Sequence, residues 1–250
     1  MPNVWRMLAH HFAERSPACC EMRHSEAVED YLKVLYLLAG EGEFATTSRV
    51  AIRLGVSAPS VSAMVQRLVL AGLVERIGTR QVGLTPHGLR HARGVVRRHR
   101  LLEAFLTEVL GVPWDQVHAE AEVLEHAVSA RLEDRIAATL GHPDRDPHGD
   151  PIPPKEGSCS EEWPDPLCTA PIGARFRVER VSDRDSDALR YLGELGIRPG
   201  VMLVVEERAP FGGPLWVSVD GKRYALGEQL PRLIHGIVEG VNEAVRGVER

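Results

Sequence analysis

Seven side chains able to bind a divalent cation recur in this chain at spacings that helices bring together. His118, Glu122, Glu125 and His126 are separated by four, three and one residues, which sets all four on one stripe of a helix. His99 and Glu103, four apart, form a similar pair on the preceding helix. Asp30 sits mid-helix beside Tyr31 and Leu32, close to the apolar face, where a carboxylate without a partner is costly and a cation would supply one. Carboxylate oxygens and imidazole nitrogens suit manganese, iron and zinc. The same groups have plainer uses, since Glu–His pairs four apart are ordinary surface ion pairs. They also have a catalytic use, because such clusters serve hydrolytic metals. No HExxH pattern, nucleophile elbow or substrate-sized glycine-rich loop accompanies them, so no catalytic residue is assigned. A metal-dependent hydrolase acting on nucleic acid stands as the alternative from another class.

The elements that must carry these residues are legible from periodicity. Ser25 to Leu38 begins with a capping residue and places apolar groups at 28, 31, 32, 35 and 38, one face of a helix. Thr47 is expected to cap a short helix to Leu54, and Gly55-Val56-Ser57 to turn the chain. Ser57 then caps a second helix to about Leu70, with Pro59 tolerated in its first turn. This reads as helix-turn-helix. Leu73 to Leu84, folded about Gly78, reads as a two-stranded wing. Thr85-Pro86-His87-Gly88 opens a long helix to about Leu110, and Trp114 to Leu140 forms another. Residues 142–172 are rich in proline and read as a linker. From Gly173 to Val241 short strands turning at Phe211-Gly212-Gly213 and Asp220-Gly221 predict a small β-barrel, with a helical insert at Ser186 to Leu195.

The net charge of −5 hides a strong asymmetry. Thr46 to Arg100 holds ten arginines and one acid, Glu75, whereas Leu101 to Ala170 holds fifteen acids and four bases. A basic helix-turn-helix beside an acidic segment predicts a DNA surface next to a cation-binding region. No apolar run is long enough to span a membrane, and the N-terminus lacks the apolar centre of a secretory signal, so a cytoplasmic protein is expected. Cys19, Cys20, Cys159 and Cys168 have no zinc-finger spacing and read as reduced thiols.

The segments EDYLKVLY, LGVSAPSVSAMVQRL, GLVERIGTRQVGLTPHG, RRHRLLEAFL, VHAEAEVLEH and DPHGDPIP occur in this order. In them the chain resembles the diphtheria-toxin repressor and manganese-transport regulator family of bacterial transcriptional regulators, from about Met22 to Val238. Residues 1–21 have no counterpart. The resemblance implies a mainly helical protein with small β parts. Its expected domains are a winged helix-turn-helix at 22–88, a helical metal-binding and dimerisation domain at 89–141, the linker at 142–172, and a barrel of the Src-homology-3 (FeoA-like) kind at 173–241. It implies a primary metal position at Asp30, Glu122, Glu125 and His126. An ancillary position maps to His99, Glu103 and His118, with Asp185 at a barrel ligand position, while another barrel ligand position is filled by Ala188. Iron-responsive members carry methionine and cysteine where this chain has Asp30 and Glu122. Hard oxygen donors therefore make Mn(II) the expected metal and Fe(II) the alternative, with Zn, Co, Ni or Cd binding in vitro. Lys33 stands where manganese-type members can carry an acid. The implied partners are operator DNA, double-stranded, and a second copy of the chain. Ser57, Pro59 and Ser60 would approach base edges, with Ala63 and Gln66 further along the helix, and Thr47 is a further DNA-binding candidate. Arg49, Arg53, Arg67, Arg76 and Arg80 would meet phosphates. Ala63 replaces a glutamine of some relatives, which makes direct base hydrogen bonding sparse.

Overall fold

The computed structural model describes residues 25–241, apart from 44, 79, 158–160 and 162, and the chain divides into two compact bodies. Met22, Cys19, Cys20 and Cys159 lie outside the described residues.

The first body gathers the described parts of residues 1–99, 124–133 and 152–162. Helix α1 (Glu26–Gly40) lays Tyr31, Leu32, Leu35 and Leu38 into a core shared with Val50, Val61, Val65, Leu68 and Leu73. Ser25 precedes α1, but its hydroxyl makes no capping bond. After strand β1 (Ala45–Thr46) come α2 (Thr47–Leu54) and α3 (Ala58–Leu70). The cap of α2 is Thr46 rather than Thr47. Thr46 is still extended, with φ −110° and ψ 158°, and its hydroxyl accepts from the Arg49 N–H at 3.3 Å. Gly55 between the two helices has φ +64°, the left-handed conformation that glycine adopts without strain. Ser57 caps α3 by accepting from the Ser60 N–H. Strands β2 (Val74–Ile77) and β3 (Gln81–Leu84) form the wing, and β1 adds a third strand in the order β1-β3-β2.

Helix α4 (Pro86–Glu108) opens where Thr85 Oγ1 accepts from the Gly88 N–H. Residue 88 has to be glycine, because a Cβ there would stand 1.9 Å from the Leu73 carbonyl oxygen. The stretch expected as one helix from Trp114 to Leu140 is two, α5 (Val117–Leu124) and α6 (Ala130–Thr139). The chain turns between them, and Ser129 restarts the helix by accepting from the Leu132 N–H at 3.2 Å. Glu125 and His126 occupy that turn, where their side chains are engaged as described below.

The second body takes residues 100–123, 134–151 and the described part of 163–250. Its six-stranded sheet has the order β4-β9-β5-β6-β7-β8. The strands are β4 (Asp165–Pro166), β5 (Ala174–Val181), β6 (Met202–Arg208), β7 (Leu215–Val219), β8 (Lys222–Leu226) and β9 (Ile234–Val241). Alternating residues, including Phe176, Val178, Leu203, Val205, Val217 and Val219, fill the interior with Trp114. Helix α7 (Ser186–Glu194) follows β5, and Asp185 caps it by accepting from the N–H groups of Asp187 and Ala188.

Among its described residues the proline-rich stretch contains no long helix or strand, yet Asp146, His148 and Asp150 are buried in it. Asp146 Oδ1 accepts from the N–H groups of His148 and Asp150, which curls the chain tightly. Gly149, with φ +89°, lets that curl lie against β5, where a Cβ would stand 1.9 Å from the Glu179 carbonyl oxygen. Among the described residues no helix is long and apolar enough to cross a membrane.

Candidate metal centre

In the first body Asp30, Glu125 and His126 each offer a ligand atom, and these atoms all lie within 4.8 Å of one another. Asp30 comes from α1, whose apolar face fixes its height. Glu125 and His126 come from the turn after α5. His126 Nε2 stands 3.0 Å from Asp30 Oδ1 and 3.6 Å from Glu125 Oε1. Its other nitrogen, Nδ1, is 2.8 Å from Glu29 Oε2, so Glu29 orients the ring and aims Nε2 at the two carboxylates. Arg98 supports both sides, reaching Glu29 at 3.0 Å and the Glu125 carbonyl at 3.1 Å.

Glu125 is fully enclosed. Burial pushes its carboxyl up, but the His99 contact and the Lys33 charge outweigh this and hold it below the ordinary range. Lys33 Nζ donates to both Glu125 oxygens, at 2.9 and 3.0 Å. His99 Nδ1 approaches Glu125 Oε2 at 2.5 Å, so His99, expected in the ancillary set, is joined here to a residue of the primary one. Burial lowers the His126 imidazole, and the Glu29 hydrogen bond with the Glu125 and Asp30 charges raises it above its usual value.

Glu122 belongs to the second body, where it is half-exposed and 3.5 Å from His118 Nε2. In the same body Glu103, His118 and Asp183 form one candidate ligand group and Glu103, Asp146 and His148 another, sharing Glu103. His118 Nδ1 is 3.0 Å from both Glu103 Oε1 and Asp183 Oδ2. Asp183, two residues before Asp185, is therefore the barrel carboxylate that meets His118, because Asp185 is spent on capping α7. Ala188 contributes only its backbone N–H to that cap.

Asp146 and His148 carried no signal in helical spacing, since they sit in an irregular loop; their only trace was the segment DPHGDPIP. His148 is fully buried, and its Nε2 donates to the Trp114 carbonyl at 2.7 Å. That leaves Nδ1 without a hydrogen-bond partner, 3.7 Å from Glu103 Oε2. An orphaned imidazole nitrogen facing a buried carboxylate fits a cation between them. Without one, protons fill the role. Burial lowers His118, but hydrogen bonds to Asp183 and Glu103 push it up to about 11. His148 is likewise lowered by burial and raised by Glu103 and Asp146, to about 10. Burial, Asp150 and Glu103 together force Asp146 well above the carboxylate range.

The expected DNA face lies on the first body. Pro59, Ser60, Ala63, Gln66 and Arg67 of α3 are exposed, as are Arg76 and Arg80 of the wing. Ser57 is committed to the cap and to Ser60 Oγ at 2.8 Å. Thr46, Thr47, Ser48, Ser62, Arg76, Arg80 and Val82 line a cavity of about 540 Å³, which joins hydroxyls to two cations. Arg49 and Arg53 make ion pairs with Glu43 at 3.0 Å and Glu41 at 2.5 Å.

Residues 24–82 match the family model described as "Iron dependent repressor, N-terminal DNA binding domain". Residues 85–154 match "Iron dependent repressor, metal binding and dimerisation domain", and residues 166–238 match the FeoA domain. The iron-dependent repressor IdeR of Mycobacterium leprae is 35% identical over 194 residues, covering 72% of this chain and 84% of that protein. The diphtheria toxin repressor of Corynebacterium diphtheriae is 31% identical over 219 residues, covering 84% of this chain and 96% of its own. A solved structure titled "Manganese-dependent transcriptional repressor complex with manganese" superposes with a TM-score of 0.79 at 42% identity, over 84% of this chain and 99% of that one. With these three domain matches in succession and these relatives covered over most of their length, the chain belongs to the diphtheria-toxin repressor family of metal-dependent transcriptional repressors.

Proposed function

We propose that this protein is a homodimeric, cytoplasmic repressor that binds operator DNA when Mn(II) is held by Asp30, Glu125 and His126, and so controls metal-uptake genes. The observation that carries the reading is the convergence of those three side chains, two carboxylates and one imidazole with no sulfur donor among them. Hard donors favour manganese over later metals by chemistry, while raw affinity follows the opposite order, so geometry and availability do the selecting. The resemblance alone adds Glu122 to this set. Glu103, His118, Asp146, His148 and Asp183 form a second candidate position.

A bound divalent ion supplies positive charge and directed coordination. The chain's own residues supply the rest. Asp30 belongs to a helix whose opposite face is locked into the winged-helix core, whereas Glu125 and His126 belong to the turn between α5 and α6. Drawing these groups together ties that turn to α1 and fixes the helix that sets α3. A coupling of about 2–3 kcal/mol corresponds to roughly 30- to 150-fold in DNA affinity.

The test is a titration of metal-free protein with Mn(II), and anaerobically with Fe(II), while operator binding is followed. His126→Ala and Glu122→Ala should each abolish metal-dependent binding and leave circular dichroism and sedimentation unchanged. DNA cleavage on metal addition, or loss of the dimer in the variants, would overturn the reading. A response to Fe(II) at lower free concentration than Mn(II) would assign iron, the metal named in the IdeR relative.

A further inference from the structure

We propose that His87 and His91 form a clamp for a late first-row divalent cation, Zn(II), Ni(II) or Cu(II), at the root of the wing. The ion takes the place of the hydrogen that bridges the two imidazoles and staples the first turn of α4 to the second. The clamp shares no residue with the carboxylate–histidine groups described above and does not depend on the reading of them.

The two histidines stand four apart at the start of α4, one above the other on the same face of the helix. Their Nε2 atoms approach to 2.9 Å, with ring centroids 4.7 Å apart and ring planes inclined at 63°. At that distance one nitrogen carries a hydrogen and the other offers a lone pair, so both rings turn the same edge toward one point. An ion that holds two imidazole nitrogens at about 2.0–2.1 Å and about 90–110° sets them roughly 2.9–3.4 Å apart. The pair already has that spacing. On binding, the bridging hydrogen leaves Nε2, for the Nδ1 of the same ring where that atom is bare and for solvent where it is not, and water fills the remaining coordination positions. Neither donor is an oxygen. Imidazole suits zinc, copper and nickel, and affinity at a nitrogen site rises steeply from manganese toward copper, so the clamp's preference is opposite to that of the Asp30 and Glu125 carboxylates. Both histidines are half-buried, so neither is sealed in the core.

The place of the clamp gives the ion something to hold. Thr85 Oγ1 donates to the Gly72 carbonyl at 2.6 Å and accepts from the Gly88 N–H at 3.0 Å, and the Thr85 N–H donates to the Leu73 carbonyl at 3.0 Å. Gly72 and Leu73 lead into β2, and Thr85 follows β3, so the first turn of α4 is tied to both ends of the wing. An ion that bridges residues 87 and 91 opposes fraying of this turn and stiffens the wing where it joins the helix.

The test uses Zn(II) as the probe and Mn(II) as the contrast, on the full-length protein and on His87→Gln and His91→Gln. Equilibrium dialysis followed by elemental analysis should count one zinc fewer per chain in either variant than in wild type, with the Mn(II) count equal in all three. Zinc bound elsewhere cancels in the difference. Equal zinc counts in wild type and a folded variant would overturn the proposal. Either variant suffices if the other fails to fold, because one imidazole alone does not hold the ion. Hydrogen exchange followed by mass spectrometry keeps the question open to an answer from wild type by itself. There Zn(II) should slow the amides of the first two turns of α4 severalfold more than Mn(II) does. Equal protection of those turns by the two metals would overturn the proposal whatever the variants do.

Discussion

His118 and His148 hold protons up to about 11 and about 10 because carboxylates are their company. Both are raised above the ordinary imidazole, so each is charged at neutral pH and becomes neutral only as pH climbs toward those values. A metal needs the neutral ring, and binding must therefore expel protons. Affinity for Mn(II) at this group should rise as pH goes from 7 to 9. The binding heat should also change with the ionisation enthalpy of the buffer, by about one proton or more per chain. Calorimetry in phosphate and in Tris checks this, and equal heats in the two buffers would remove these histidines from the coordination. At this scale the sequence was readable where candidate ligands share a helix stripe, as with His118 and Glu122, or follow it directly, as with Glu125 and His126. Asp183, Asp146 and His148 were not, since strand-end and loop residues converge through tertiary folding and leave no period in the chain.

Helix α3 shows how an element carries its own instructions. Ser57, the turn residue Gly55 and Pro59 in the first turn were enough to set its start, and the structure places each as the sequence required. Thr46 took the cap of α2 from Thr47 because adjacent threonines offer the same hydroxyl and only the backbone angles choose between them. The long helix expected after Trp114 broke at Glu125, since pattern alone cannot see that two polar residues are pulled into contacts with α1. The cap argument yields a measurable consequence. Ser57→Ala removes the acceptor for the Ser60 N–H and should destabilise the first body by about 1 kcal/mol. A thermal midpoint lowered by a few degrees would register that loss. An unchanged midpoint with weakened operator binding would instead assign Ser57 to the DNA.

At the scale of the molecule, charge separation was the most informative feature of the sequence, and the structure refines it. Arginine density picked out the segment that matches the DNA-binding domain; Arg49 and Arg53 make ion pairs with Glu43 and Glu41, while Arg67, Arg76 and Arg80 are exposed on α3 and the wing. Three such residues on each of two subunits predict a slope of log affinity against log salt of about −5. A slope near zero in a fluorescence-anisotropy salt series would remove phosphate contacts as the source of affinity. The order winged helix, helical domain, barrel was legible because each segment changes its hydrophobic period. The division into two bodies was not, because it depends on contacts between residues far apart in the chain.

That division bears on how the protein is made. The first body draws on residues 1–99, 124–133 and 152–162, so it is not a continuous stretch of chain. Once residues up to about 100 have left the ribosome, α3 and the wing are exposed without Glu125 or His126. The DNA-binding domain therefore emerges before the residues that complete its body, and on the proposed reading a nascent chain cannot answer to metal until residue 126 has left the exit tunnel.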